Sequence, residues 1–272
     1  MKNRKLSIIV TLTAAIALVL AGVNLLIPVT ASAQSQLYTP CEAGKLTAPL
    51  TLNAAATEAA NAATPPATQA ASAATGADNI AFLSIVGSES QACYLTTETF
   101  LQGNFMNLPA GLNGAVGVTK TISGDIALDL NNIANSQIGD ITINISEFKS
   151  DNDRRDGFIR QNFLQSNKYP YATLTNATVV GLPTGPYQDG TALKFQIKGT
   201  LTVHDTKRDT TFDATGTYTG GTLVVTATTD LNMSDFGIQV PNIGGLLKVD
   251  DAMRLVVNLV ARASQGTATP SA

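Results

Sequence analysis

"LKFQIKGTLTV", residues 193–203, decides the fold class. Leu193, Phe195, Ile197, Leu201 and Val203 fall on one side of it. Lys194, Gln196, Lys198, Thr200 and Thr202 fall on the other. A strand turns successive side chains to opposite faces, so this period of two predicts a strand with one apolar face. The pattern recurs outward. In "DITINIS", residues 140–146, Ile141, Ile143 and Ile145 oppose Thr142 and Asn144. In "RLVVNLV", residues 254–260, Leu255, Val257 and Leu259 align, and Val225 lies within "GTLVVTATTDLNM", residues 221–233.

Further runs have the same texture, among them "IAFLSIV", "ACYLTTETF", "AVGVTKTISGDIALDL", "QIGDITINISEF", "ATLTNATVVGL", "DTTFDATGTYT" and "MRLVVNLVARA". Gly, Asn, Asp and Pro separate them. Eight or nine strands with one apolar face each predict an all-β domain over 79–263, either a sandwich or a closed barrel. The interior residues then either fill a core or line a cavity, and periodicity allows both.

The remaining segments read differently. Residues 1–33 begin with Lys2, Arg4 and Lys5, continue as an uncharged apolar run from Leu6, and end on Ala31-Ser32-Ala33. This is the pattern of a signal peptide cut before Gln34, with an uncleaved N-terminal anchor as the alternative. Cleavage would take the formal net charge from −3 to −6. Residues 34–78 are rich in Ala and Thr and read as a linker or surface excursion, interrupted by Pro65-Pro66, with a short helix over 54–63 as the alternative. Residues 264–272 read as a disordered tail. Export permits a disulfide between Cys41 and Cys93; two unrelated thiols are the other reading. The chain carries no concentrated basic patch, so nucleic acid is not an expected partner.

One stretch departs from the sparse charge of the chain. "DNDRRDGFIR", residues 151–160, holds six charged side chains. With the residues after it, "RRDGFIRQNFL" predicts a short helix over 154–164. Arg155, Phe158 and Ile159 lie near one another on it, Phe163 extends the apolar stripe, and Asp151 and Asp153 stand before its start.

"DNDRRDGFIRQNFLQSNKYPYATL", then "FQIKGTLTVHDTKRDTTFDATG", then "LNMSDFGIQVP", then "MRLVVNLVA" occur in an order that resembles the YceI-like family. The resemblance covers about residues 79–263. It implies a lipocalin-like antiparallel barrel of about eight strands, with a short helix between strands, around an apolar tunnel. It also implies an exported or periplasmic protein that binds a polyisoprenoid or related lipid. A cell-envelope location, an isoprenoid lipid or quinone as the bound ligand and transient membrane contact are the accompanying expectations. Asp151, Arg155, Asp156 and Arg160 match the family's recurring charged positions, and Tyr169-Pro170 matches its Tyr-Pro step. Arg155 and Arg160 would either pin the helix over one barrel end or meet a polar head group. Two positions depart from the pattern: Met233-Ser234 precede Asp235-Phe236-Gly237 where members often carry Arg, and His204-Asp205-Thr206 replace a Gly-Val-Thr turn.

Enzymatic chemistry finds little material. His204 is the only histidine, no G-x-S-x-G elbow accompanies it, and it reads as a turn residue. One His and two Cys do not make a convincing zinc site. Asp151–Asp156 is not a calcium loop, because Asp156 stands where Gly is required. The expected site is therefore a non-covalent lipid pocket with no catalytic residue, metal or obligatory cofactor. Its expected lining is Ile141, Ile143, Ile145, Phe158, Phe163, Leu193, Phe195, Ile197, Leu201, Val225, Phe236, Leu255 and Val257. A cell-envelope interaction module with a filled barrel is the alternative. Oligomeric state is not legible.

Overall fold

The computed structural model describes Cys41 and residues 79–263. The expectations for residues 1–33, 34–78 with its alternative helix at 54–63, and 264–272 lie outside the described residues, Cys41 excepted.

Thirteen strand segments join one antiparallel sheet. They are β1 (Ile80–Ile85), β2 (Gln91–Phe100), β3 (Gly111–Thr119), β4 (Ile122–Ser123), β5 (Asp125–Asp129), β6 (Gln137–Ile138) and β7 (Ile141–Asn144). Helix α1 (Asp153–Asn162) follows. After it come β8 (Tyr171–Val180), β9 (Ala192–Val203), β10 (Thr206–Thr219), β11 (Thr222–Asn232), β12 (Asn242–Ile243) and β13 (Leu247–Ala263).

The segments assemble into eight staves. β1 and β2 run one after the other along the same edge of β13. Between them the chain turns at Gly87–Glu89, and Ser90 Oγ accepts from Val260 N at 3.0 Å in place of a ladder bond. β3, β4 and β5 likewise form one interrupted stave, paired to β2 through β3 and to β1 through β5. β8, β9, β10, β11 and β13 continue the wall as successive neighbours. The ring closes where β7, already paired to β8, also pairs β4: Ile122 opposes Ile143, and Ser123 opposes Thr142. Asn144 N–H donates to Thr121 O at 2.9 Å, and Val118 and Lys149 exchange backbone bonds of 2.8 and 3.0 Å along the same seam. A closed ring leaves no long unpaired edge.

The expected eight-stave barrel is present, with finer breaks than the sequence suggested. "AVGVTKTISGDIALDL" divides into three segments, and "QIGDITINISEF" into β6, β7 and a 3-10 turn at Ile145–Glu147. Gly124 explains one break. A Cβ there would stand 2.5 Å from Ile141 Cδ1 and 2.8 Å from Asp140 O. Only glycine lets those strands approach so closely.

The inner faces form the main apolar cluster, with Leu83, Ile126, Ile141, Ile197, Phe212, Val225 and Leu259 among its members. The outer wall holds a second buried area. Gln91 and Cys93 on β2 and Asn258 and Val260 on β13 point away from the lumen by strand alternation, yet all four are buried. Cys41 is bonded to Cys93 at this place, with a Cα–Cα distance of 6.4 Å.

The bridge joins residues 52 positions apart. In the chain-entropy treatment, a loop of that length contributes roughly 3–4 kcal/mol. Cys41→Ser should lower unfolding stability by that order in a denaturant titration. An unchanged midpoint would show that the bridge does not constrain the unfolded chain.

Candidate functional site

The staves enclose an elongated cavity of about 220 Å³. β13 gives its length: Leu247, Val249, Met253, Leu255, Val257 and Leu259 all face it. At about 3.3 Å per residue and a strand tilt of roughly 40°, that run spans roughly 25–30 Å along the barrel axis. The exposed lining is almost entirely carbon.

All thirteen residues expected to line a pocket face this space. Ile141 and Ile143 come from β7, and Ile145 from the turn after it. Leu193, Phe195, Ile197 and Leu201 come from β9, Val225 from β11, and Leu255 and Val257 from β13. Phe158 and Phe163 come from α1 and its C-cap, with ring centroids 5.4 Å apart. Phe236 comes from the short 3-10 turn after β11.

Helix α1 covers one end of the barrel because it is fixed at three points, two at its start and one in its last turn. Asn152 Oδ1 accepts from Arg154 N and Arg155 N, both at 3.1 Å, as an N-cap. Asp156 accepts from Ser150 N at 2.9 Å and from Ser150 Oγ at 2.5 Å. Arg160 Nη1 donates to Phe148 O at 3.2 Å, so this arginine pins a loop and does not line the cavity. The helix runs from Asp153 to Asn162, close to the expected 154–164.

Arg155 does line the cavity, and it is buried. Its Nη1 donates to Glu98 Oε1 at 2.5 Å, its Nη2 to Asp151 Oδ1, and its Nε to Ser150 Oγ at 3.2 Å. Glu98 stands on the inner face of β2 with Tyr94, Thr96 and Phe100, so the ion pair ties the helix to the wall. The sequence reading missed Tyr94, Thr96 and Glu98. The signal was available: alternation along "ACYLTTETF" sets an acid on the same face as a tyrosine and a phenylalanine.

Tyr94 lies flat across Gly117, where a Cβ would come within 2.1 Å of its ring, and meets Phe148 edge-on at 5.2 Å. Burial pushes its hydroxyl far above the ordinary ionisation range, so it stays a neutral donor. Burial also pushes the Glu98 carboxyl up from its ordinary 4.5, and Arg155 pulls it only part of the way back while Asp151 opposes it. Burial pulls the Arg155 guanidinium down, but Glu98, Asp151 and Tyr94 together raise it further.

His204 and Asp205 form the two-residue turn between β9 and β10, with φ of 56° and 65°. The His204 ring meets the Tyr169 ring at a 58° tilt with centroids 4.4 Å apart, and burial lowers its pKa. It is a turn residue outside the cavity lining.

A closed antiparallel barrel around a long carbon-lined hollow defines a lipocalin-like cavity protein. Residues 98–261 match the family model of the YceI-like domain, and the chain belongs to that family. It is 28% identical over 144 residues to a UPF0312 protein of Vibrio parahaemolyticus, covering 50% of this chain and 71% of that one. Among solved structures it is similar to BcnA of Burkholderia cenocepacia at 17% identity, with a TM-score of 0.48, covering 65% of this chain and 98% of that one. It is also similar to a polyisoprenoid binding domain from Saccharophagus degradans at 12% identity, again with a TM-score of 0.48, covering 67% and 98%.

Two consequences follow for the ion pair. Folding favours protonated Glu98, so its contribution to stability is complete below pH 4.5 and is lost as pH rises through the raised folded value. The stability difference between wild type and Glu98→Gln should therefore shift against wild type between pH 4.5 and neutrality, read from denaturant melts across that range. A shift in the other direction would mean that Arg155 outweighs burial. Arg155→Ala strands a buried carboxylate and should cost about 3–5 kcal/mol at neutral pH.

Proposed function

We propose that this protein is an exported carrier or store that holds one long apolar, isoprenoid-type lipid in its barrel without covalent chemistry. One observation carries the reading: an apolar hollow of about 220 Å³ runs through the middle of the fold. Left empty, a void of that size costs about 5 kcal/mol at ~24 cal/mol per Å³. That is a large share of the net stability of an ordinary domain. Water is a poor filling, because a buried water needs two to four polar partners and the lining offers few. A hydrocarbon chain restores the missing contacts at about 0.8 kcal/mol per methylene, before ordering costs.

Membership of the YceI-like family supports the reading, and the isoprenoid class comes from that resemblance. Export is supported by Lys2, Arg4, Lys5, the apolar run and Ala31-Ser32-Ala33. The Cys41–Cys93 bridge supports it too, since disulfides persist in oxidising compartments. The intact mass of the protein recovered from its host shows whether the chain starts at Gln34.

Organic extraction of protein purified without detergent, followed by mass spectrometry, should release an isoprenoid-type lipid. The emptied protein should take up an added isoprenoid quinone. Ala227 faces the lumen among Phe212, Val225 and Leu259. Ala227→Phe should fill that section and reduce uptake severalfold in a chain that still folds. A protein that yields no lipid and takes up no quinone is not a carrier of this class.

A further inference from the structure

Among the described residues, charged side chains meet the cavity at one place. Tyr94, Thr96 and Glu98 stand at successive inward positions of β2, with Arg155 of α1 beside them. Thr96 is 7% exposed, and its Oγ1 makes no hydrogen bond. A buried hydroxyl without a partner is unfavourable and calls for an explanation. The far end differs. There the Tyr187 hydroxyl is already satisfied: it donates towards the carbonyls of Thr191 and Tyr218 and accepts from Tyr218 N at 2.9 Å.

Charge narrows what Thr96 can meet. Among the described residues that line the cavity, Arg155 is the only cation. All three of its guanidinium nitrogens already donate, to Glu98, Asp151 and Ser150. Glu98 and Asp151 leave the cluster without excess positive charge. A phosphate or carboxylate placed there would be desolvated beside acids with no spare cation to receive it. A neutral oxygen needs one hydrogen bond, and Thr96 Oγ1 can donate or accept it.

Resting on the lipid-carrier reading, we propose that Thr96 receives the head of the bound lipid, and that this head is an uncharged oxygen, an alcohol or a quinone carbonyl, on an isoprenoid tail. The head lies beside Arg155 of α1, and the tail runs towards Leu193 and Leu259. Lipids with a phosphate, diphosphate or carboxylate head are excluded by the acids around Arg155, whatever their tail.

Three probes of matched tail separate the proposal from its foundation: geranylgeraniol, geranylgeranyl diphosphate, and the head-less hydrocarbon phytane. Each is titrated by calorimetry against the delipidated full chain and against Thr96→Val, which keeps the shape of the side chain. Geranylgeraniol should bind at least tenfold more tightly than the diphosphate. Thr96→Val should weaken geranylgeraniol by about threefold to tenfold, the scale of one hydrogen bond, and leave phytane unchanged. Equal or tighter binding of the diphosphate overturns the neutral-head inference, and so does an unchanged geranylgeraniol affinity in Thr96→Val; in both cases phytane binding would leave lipid carriage standing. Failure of all three probes to bind overturns the carrier reading together with this inference. Circular dichroism and melting of Thr96→Val confirm that the comparison is between folded proteins.

Discussion

The closure of the wall at the β4–β7 seam is the constraint on which the rest depends. Two paired residues on each side, with flanking bonds from Asn144 to Thr121 and between Val118 and Lys149, join the first staves to the middle ones. Without that joint the sheet would be an open ribbon, and its apolar face would need another layer against it. With it, the inner faces of eight staves converge on a common axis. Eight is also the number at which a barrel interior is near the limit of being filled by its own side chains. Here residues such as Ala92, Ala115, Ala172 and Gly216 face the axis where larger groups would meet across it. The hollow therefore follows from small residues at chosen inward positions within an ordinary antiparallel ring.

The charged segment 151–160 answers to the same constraint. A barrel end has no ladder to order the chain that crosses it. Helix α1 supplies the cover, and two of its ions are turned inward to hold it: Arg155 and Asp156 are both buried, while Arg160 holds the loop at Phe148 and Asp153 and Arg154 stay exposed. A buried ion pair is a weak source of net stability, since removing charges from water costs much of what their attraction returns. Its value is positional. The Arg155–Glu98 contact sets where the helix sits on β2, and it brings the charged side chains of the lumen together beside that helix.

Much of this was legible in the sequence because a strand's period of two is blunt and repeated. β9 needed no context: five inward residues and five outward ones identify its faces, and the structure sets those five against the cavity. Staves with internal breaks were less legible. "AVGVTKTISGDIALDL" reads as one strand, because the need for a glycine at position 124 arises from Asp140 and Ile141, which the local sequence does not announce. Glu98 was passed over for the same reason. Its partner stands 57 residues away on a helix, and a lone acid in a strand reads as an outward residue until something charged is found opposite it. The burial of Gln91 and Asn258 on the outer wall was not legible at all, since alternation predicts solvent for that face.

The most direct measurement of the central claim is a crystal structure of protein purified without detergent or added lipid. The account predicts a continuous tube of density along the barrel axis, passing between Phe195 and Leu255 and ending beneath α1 near Thr96. A lumen in which Phe195, Phe212, Leu255 and their neighbours close onto one another, with no space and no density between them, would contradict it.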